Sequence, residues 1–313
     1  AGLVCPKYKD ADVKEFLGDE TKAEEVGYNM VKVRGVPQNP LFDAEKFETM
    51  ISNFESRESD VFICTYVKAG TTWTQQIVTL LLNNGVADAK SYGEQVPWLE
   101  ALCAVEILPE REAPGWTPDK VKTNQERRFF KSHAMVSDLP GGSEKPKIIA
   151  VARNPKDTVV SLYHHAKSKP EFGYKGDFDT FIRVFLSGNA ENGSWFKHVR
   201  EWYAFSKAYP HKCLWLTYEQ MINDHRAAVI AIAHFLEISY TDELIDKVVQ
   251  NSTIKSMQNN KKANIGINHL RQGGIGNWRN TFTVSQSNLF DTVYKANMAG
   301  SGLHFDFGEG LYM

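Results

Sequence analysis

The sequence predicts an α/β fold in which a central parallel sheet is flanked by helices. The first observation is a set of three short apolar runs, typical of buried strands, at Val61 to Tyr66, Lys147 to Ala152 and Lys212 to Thr217. The second is that a helical pattern follows each run, and strands that alternate with helices are typical of parallel sheets. The third is that the first run enters its helix through a glycine turn, as in a P-loop-like nucleotide-binding core.

Helix signals follow the first two strands directly. The apolar residues between Ile77 and Leu82 share one helical face, and the pattern stops at a glycine. After the second strand, Asn154 is a good N-cap, Pro155 is a favoured first helical residue and Asp157 is a suitable first-turn acid. Both junctions therefore predict a strand that turns sharply into a helix.

The rest of the chain adds two helices, one strand and a long loop. Aromatic side chains recur at helical spacing from Phe178 to Leu186 and from Trp195 to Trp202. The segment RRFFKSH is typical of a strand, and Lys131 and His133 are two residues apart there, so their side chains share one face. Residues 259–268 are polar and residues 271–279 are rich in glycine, which together predict a long functional loop.

Composition excludes several classes of protein. The chain has 313 residues, of which 42% are apolar and 24% charged, so a sizeable core is expected and disorder is not. No repeat or linker divides the sequence, and one domain over residues 1–313 is the economical interpretation. Lys plus Arg (36) nearly balance Asp plus Glu (38), which argues against binding of nucleic acid or of an anionic membrane. Without a signal-peptide pattern or a long apolar run, a cytoplasmic location is expected.

The four cysteines do not form a metal or disulfide pattern. Cys5, Cys64, Cys103 and Cys213 lie far apart, with no C-x-x-C pair and no histidine at metal-ligand spacing. Cys64 and Cys213 fall inside predicted strands, where a cysteine usually packs as a small apolar residue. We therefore expect reduced thiols and no bound metal.

The segment TYVKAGTTW, residues 65 to 73, has the makings of an anion site. Gly70 lets the backbone approach a ligand, the N–H groups at a helix start point towards an anion, and Lys68, Thr71 and Thr72 add a charge and hydroxyl groups. The spacing differs from a Walker A loop, in which the lysine follows a second glycine. Taken alone, the segment favours phosphate binding over an incidental turn.

Five segments together resemble motifs of the cytosolic sulfotransferases. They are TYVKAGTTW (65–73), KSHAMVSDLP (131–140), VARNPKDTVVSLYHH (151–165), LTYEQM (216–221) and RQGGIGNWRNTFT (271–283). They stand in the family's order, and the resemblance covers roughly residues 30–310. It implies transfer of the sulfuryl group from 3′-phosphoadenosine 5′-phosphosulfate (PAPS) to a hydroxyl or amine of a small-molecule acceptor, without a metal, leaving 3′,5′-bisphosphoadenosine (PAP).

The resemblance also implies a role for individual residues. The implied donor-binding residues are Lys68, Ala69, Gly70, Thr71 and Thr72 at the 5′-phosphosulfate, Trp73, Tyr218, Ser252 and Ile254 at the adenine, and Arg153, Ser161, Arg271, Gln272 and Gly273 at the 3′-phosphate. His133 would be the catalytic base, with Lys131 beside it, and Lys68 would stabilise the charge on the leaving phosphate. Histidine suits this task because its ordinary pKa near 6.5 leaves much of it neutral.

Four positions of the predicted site depart from the family pattern. Val67 and Ala69 replace a proline and a serine, which removes a hydroxyl from the transfer site and puts the turnover rate in question. Gln272 replaces a cation, which puts donor affinity in question. Ile254 replaces an aromatic residue, so Trp73 would be the principal stacking partner of the adenine.

Two other functions stay open on sequence grounds. An ATP-dependent small-molecule kinase would use a similar strand-loop-helix, although the Walker A order and a magnesium-binding acid are missing. The second alternative is a nucleotide-binding protein whose catalysis is impaired by the Val67 and Ala69 changes. The family's dimer motif ends in an acid where this chain has Asn288, so the oligomeric state also stays open, with a weak homodimer as one alternative.

The acceptor pocket can only be outlined from sequence. Trp98, Phe172 and Tyr174 lie in predicted loops over the site and suggest an aromatic or apolar pocket. His164 and His165 are adjacent on a predicted helix and cannot chelate a metal well, so we assign them to structure or to the acceptor pocket.

Overall fold

A four-stranded parallel sheet lies at the centre of the protein. The computed structural model describes residues 13–17, 24–87, 89–105, 107–263 and 273–313. Its strands are β1 (Val31–Val33), β2 (Val36–Gln38), β3 (Val61–Thr65), β4 (Phe129–Ser132), β5 (Lys147–Ala152) and β6 (Cys213–Thr217). β1 and β2 form an antiparallel hairpin, and the other four form the parallel sheet in the order β4-β3-β5-β6.

Helices connect and cover these strands. Within the described residues the α-helices are α1 (Lys14–Leu17), α2 (Ala44–Asn53), α3 (Thr71–Leu82), α4 (Tyr92–Gln95), α5 (Ile107–Glu112), α6 (Pro118–Thr123), α7 (Pro155–Ser168), α8 (Phe178–Leu186), α9 (Trp195–Ala208), α10 (Tyr218–Asn223), α11 (His225–Phe235), α12 (Asp242–Asn251), α13 (Ile254–Asn259) and α14 (Val284–Met298). Short 3₁₀ turns lie at Glu24–Val26, Leu99–Cys103, Val136–Asp138, Pro170–Phe172 and Asn277–Asn280.

Both faces of the sheet are buried, which explains why its strands read as continuous apolar runs. Successive side chains of β3 point to opposite faces, so Val61 and Ile63 pack in one core cluster with α3, α11 and α12. Phe62 and Cys64 pack in another cluster with Trp202 of α9. The predicted parallel sheet flanked by helices is therefore confirmed.

The predicted element boundaries are close to those observed. β5 has the expected bounds, β3 ends one residue earlier, at Thr65, and β6 begins one residue later, at Cys213. α7 starts as expected, with the Asn154 side chain accepting a hydrogen bond from the N–H of Asp157. Residues 264–272 of the predicted C-terminal loop lie outside the described residues. One domain over residues 1–313 stays a prediction.

Cys64 and Cys213 pack in the core as expected of small apolar residues, and Cys103 is also buried as a free thiol. Cys5 lies outside the described residues. Within the part of the chain that the structure describes, no helix is both long enough and apolar enough to cross a membrane.

A buried ion pair holds the amino-terminal edge of the sheet. Asp60 precedes β3 and Arg128 precedes β4, and the Asp60 carboxylate accepts from Arg128 Nε at 2.8 Å and Nη2 at 2.5 Å. Neither side chain is more than 2% exposed. We expect Asp60→Asn to lower the free energy of unfolding by about 3 kcal/mol, because it leaves a buried guanidinium uncompensated. Urea unfolding would measure this, with Glu58→Gln as an exposed control that changes stability by less than about 0.5 kcal/mol; equal effects would contradict the account.

Candidate active site

A cavity of about 770 Å³ opens at the carboxyl-terminal edge of the parallel sheet. Each of the four strands leads into it: β3 through Lys68, β4 through His133, β5 through Arg153 and β6 through Tyr218. Ligands of open α/β sheets usually bind at this edge. The sheet thus brings together residues that are far apart in the sequence.

The turn between β3 and α3 forms an anion cradle. Gly70 is the N-cap of α3 with φ of 100°, and no side chain among the described residues caps the first turn. A Cβ atom at Gly70 would lie 2.8 Å from Tyr218 Cδ2, so only glycine fits there. Lys68 adopts a left-handed φ of 68°, and Thr71 and Thr72 line the cavity. The start of α3 therefore offers backbone N–H groups and hydroxyls to an anion.

A second cationic group lies on the same cavity at the end of β5. Arg153 is 9% exposed, and its guanidinium lies 4.5 Å from the centroid of the Tyr218 ring. Nη1 donates to the Lys68 carbonyl at 3.4 Å and Nη2 donates to the Gly274 carbonyl at 3.2 Å, while the buried Nε has no partner among the described residues. A buried donor without a partner is costly, so this group suits an anionic ligand. Ser161 lines the cavity beside it.

Asp157 of α7 binds the backbone of the C-terminal segment that begins at Gly273. Its carboxylate accepts from the backbone N–H of Gly276 at 2.8 Å and of Trp278 at 2.9 Å. It also accepts from the Asn154 amide at 2.8 Å. Asp157 was expected only as a favourable acid in the first turn of a helix. Its position shows that the glycine-rich C-terminal segment is anchored next to Arg153.

Aromatic and apolar side chains surround one end of the cavity. The Trp73 and Tyr218 rings meet edge to face with centroids 5.3 Å apart, and the Trp73 and His225 rings lie 5.0 Å apart. A Cβ atom at Gly273 would lie 3.4 Å from the Tyr218 hydroxyl and 3.8 Å from Ile254 Cγ1. Three of the residues predicted to surround an adenine, Trp73, Tyr218 and Ile254, therefore lie at the same cavity, where aromatic rings could pack against a base.

His133 lies just after β4 and is held in one orientation. Its Nδ1–H donates to the Thr65 carbonyl at 2.9 Å, and because a carbonyl can only accept, the other ring nitrogen, Nε2, keeps its lone pair. Burial, with the Lys131 charge as a second cause, lowers the pKa of His133 well below its ordinary value. The imidazole is thus neutral near pH 7, as a general base must be.

Thr65 connects this histidine to the anion cradle. Its hydroxyl lies 2.6 Å from the Thr71 hydroxyl, at the start of α3, and 3.3 Å from His133 Nδ1. Its carbonyl is the acceptor for the His133 ring. One residue at the end of β3 therefore fixes the distance between the base and the cradle.

Lys131 is also in the cavity, but its ammonium is engaged. Nζ donates to Glu112 Oε2 at 3.1 Å and lies 4.3 Å from the centroid of the Trp98 ring. The Trp98 and His133 rings meet edge to face with centroids 5.2 Å apart. Lys131 and His133 thus line one cavity, as their spacing predicts, with Trp98 packed against both.

Whereas Lys131 is paired with Glu112, Lys68 has a lowered pKa. Burial lowers its pKa to about 8, with positive charge on Lys131 and Arg153 adding to the effect and the Glu191 carboxylate opposing it. A buried ammonium of this kind gains strongly from an anionic ligand. Lys68 is therefore positioned to respond to charge at the cradle.

Most of the predicted site residues share this cavity. The predicted residues that line it are Lys68, Gly70, Thr71, Thr72, Trp73, Lys131, His133, Arg153, Ser161, Tyr218, Ile254 and Gly273. Ala69 does not line it; its N–H donates to the Tyr66 carbonyl. Ser252 does not either; its hydroxyl contacts Nε2 of His225, which does. Arg271 and Gln272 lie outside the described residues.

The cavity wall differs from the predicted acceptor pocket at two aromatic residues. Trp98, His164 and His165 line the cavity, but Phe172 and Tyr174 do not, and the prediction that they lie over the site is wrong. Both pack on Tyr28, with ring centroids 5.7 and 5.5 Å apart, because the N-terminal segment completes an aromatic core there.

Three polar residues of the cavity escaped sequence reasoning. Glu112 holds Lys131, and Asn39 donates to Glu191 Oε1 at 3.2 Å. None belongs to a motif or to a spacing pattern, because each meets its partner only through the fold. No sequence signal would have found them.

Comparison with known proteins places the chain in a family. Residues 58–302 match the model of the family described as Sulfotransferase domain. Sulfotransferase 1B1 of Canis lupus familiaris is 33% identical over 293 residues, 88% of this chain and 95% of the relative. Sulfotransferase 1A1 of Mus musculus is 34% identical over 295 residues, which cover 88% of this chain and 96% of that relative. The solved structure of mouse sulfotransferase SULT7A1 complexed with PAP has a TM-score of 0.72 and 26% identity, covering 87% of this chain and 95% of that one. The chain therefore belongs to the sulfotransferase family and is a transferase.

Proposed function

We propose that the protein transfers the sulfuryl group of PAPS to a hydroxyl or amine of a small-molecule acceptor. The observation that carries the proposal is the linkage through Thr65, which sets the lone pair of a neutral histidine beside an anion cradle. PAP in the SULT7A1 structure supports the choice of donor. The donor would supply an activated sulfuryl group, and all other chemistry falls to side chains of this chain.

The cavity fits such a donor at both of its anionic ends. The cradle at Gly70, Thr71 and Thr72 suits the 5′-phosphosulfate. A Cβ atom at Gly70 would collide with Tyr218, so the glycine keeps the backbone of the cradle open. Arg153, with a buried Nε that lacks a partner among the described residues, suits the 3′-phosphate. Trp73 and Tyr218 would bind the adenine between these ends.

His133 would act at the acceptor. Its Nε2 takes the proton from the acceptor hydroxyl as the new oxygen–sulfur bond forms, and the Thr65 carbonyl keeps the ring in the required tautomer. Lys68 and the N–H groups of α3 stabilise the negative charge that develops on the leaving phosphate. Lys131 would assist with the N–H groups that Glu112 does not use.

The acceptor, the single domain, the absence of a metal and the cytoplasmic location are part of the same proposal. A cavity of about 770 Å³ that holds both reactants leaves room for a small molecule beside His133. The charges near His133 and the lining by Trp98 indicate a mixed polar and aromatic acceptor site. A nucleic acid or membrane partner is not expected.

Paired assays test the proposal. The purified chain is incubated with ³⁵S-labelled PAPS and EDTA, or with γ-³²P-ATP and Mg²⁺, each with a panel of phenols, alcohols and amines. We expect label transfer from PAPS alone, together with calorimetric binding of PAP. Transfer from ATP would favour the kinase interpretation, and binding of PAP without transfer to any acceptor would favour the impaired nucleotide-binding protein.

A further inference from the structure

Glu191 is a buried carboxylate on the wall of the active-site cavity. It lines the cavity although its side chain is only 1% exposed. Oε1 accepts one hydrogen bond, from the Asn39 amide at 3.2 Å, and Oε2 has no partner among the described residues. Burial of a carboxylate with one neutral donor is unfavourable. A contribution to fold stability therefore does not explain why a glutamate is buried at this position.

The turn that carries Glu191 is fixed next to the catalytic histidine. Asn192 has a left-handed φ of 66°, its N–H donates to the Pro37 carbonyl at 2.8 Å, and its amide donates to Gln38 Oε1 at 3.0 Å. Asn192 and His133 line the same small pocket, and His133 also lines the main cavity. Glu191 therefore lies on a rigid support at the His133 end of the site, where the acceptor would bind.

The cations near Glu191 have other partners. Lys68 and Lys131 are the positive groups that act on it, and Glu171 is a neighbouring negative group. Lys131 is paired with Glu112. Lys68 stands at the cradle, so a bound donor would take its charge. With the donor in place, Glu191 would face an anionic sulfuryl donor without a cation of its own.

Other carboxylates on the cavity wall are already engaged or more exposed. Glu112 pairs with Lys131 and with Arg111 at 3.2 Å. Asp157 accepts from two backbone N–H groups of the C-terminal segment. Glu171 is only partly buried. Among the described lining residues, Glu191 is thus the carboxylate with an unused buried oxygen.

We propose that Glu191 binds a primary ammonium group of the acceptor, and that the acceptor is an amine-bearing hydroxyl compound. This rests on the proposed sulfotransfer. The group must be small because so little of the Glu191 surface is accessible. A protonated amine has no lone pair, so the hydroxyl oxygen bonds to sulfur, the sulfur–oxygen bond to the 5′-phosphate breaks, the phosphate keeps the electron pair, and the hydroxyl proton moves to His133 Nε2.

Two pairs of acceptors test the inference: 4-(2-aminoethyl)phenol against 4-propylphenol, and 5-aminopentan-1-ol against hexan-1-ol. We expect the parent enzyme to prefer the amine of each pair by about tenfold to a hundredfold in kcat/KM, the range of a hydrogen bond to a buried charge. Glu191→Gln should remove this preference and leave kcat/KM for the neutral member within a few-fold. It should fold, because glutamine keeps the shape and the oxygen that accepts from Asn39.

Glu171→Gln is the matched control, because it removes a neighbouring carboxylate from the same cavity and should keep most of the preference. Equal loss on both acceptors in Glu191→Gln would overturn the inference and make Glu191 a positioning residue for Lys68. A parent enzyme that prefers the neutral acceptors, or shows no preference, would also overturn it. Failure to bind PAP, with no turnover of any acceptor, would instead reject the proposed function.

Discussion

His133→Ala is expected to lower kcat by about 10²- to 10⁴-fold, the usual contribution of a general base. The physical reason is the Nε2 lone pair, which the bond from Nδ1–H to the Thr65 carbonyl keeps available. The donor sites lie on other strands, so the dissociation constant of PAP should stay within about threefold, less than 1 kcal/mol. Single-turnover rates and calorimetric titration with PAP measure the two quantities separately.

The control for this variant is His211→Ala, which removes an exposed histidine ahead of β6. It should keep parental kcat. The pH profile adds a second readout, because the lowered pKa of His133 keeps the base neutral below its ordinary titration range. We expect no acid limb in kcat/KM between about pH 6.5 and pH 8 from this group. Full activity of His133→Ala would remove the assigned base.

Lys68→Met is expected to lower kcat by about 10²- to 10³-fold, comparable to the loss of an oxyanion-stabilising donor. The ammonium form is the active one, and burial lowers its pKa to about 8. Nearly all of the enzyme therefore carries the active ammonium form of Lys68 below pH 7, and this fraction falls as the pH rises through 8. We expect kcat/KM for the donor, which reports on the free enzyme, to decline above about pH 8.

Lys68→Arg separates charge from geometry, because a guanidinium stays protonated throughout this range. Its plateau should be lower than that of the parent, and its basic limb should move above about pH 9. Lys207→Met, which removes an exposed lysine on α9, should change neither the rate nor the profile. A basic limb that stays near pH 8 in Lys68→Arg would show that another group titrates there.

The fold and the donor end of the site were accessible from sequence because their signals are local. Each parallel strand is an apolar run, and the residues that face the cavity follow it directly, as Lys68 follows β3 and Arg153 follows β5. The start of α7 was predicted to the residue because Asn154, Pro155 and Asp157 carry adjacent helix signals. Local chemistry of this kind needs no tertiary information.

The acceptor end was not accessible because its contacts join distant segments. Asn39 and Glu191 form one hydrogen bond although 152 positions separate them. Lys131 was expected to act with His133, and its pairing with Glu112 depends on how α5 packs beside β4. Phe172 was misplaced because Tyr28, which covers it, carries no sequence signal of its own. Side chains that meet only through packing leave no periodic pattern to read.

A crystal structure with PAP and a bound acceptor is the most direct measurement. We expect the 5′-phosphate at the backbone N–H groups of Thr71 and Thr72, the 3′-phosphate at Arg153, and the acceptor hydroxyl within about 3 Å of His133 Nε2. A nucleotide bound elsewhere, or an imidazole that has left the Thr65 carbonyl and turned its Nε2 away from the acceptor, would contradict the account.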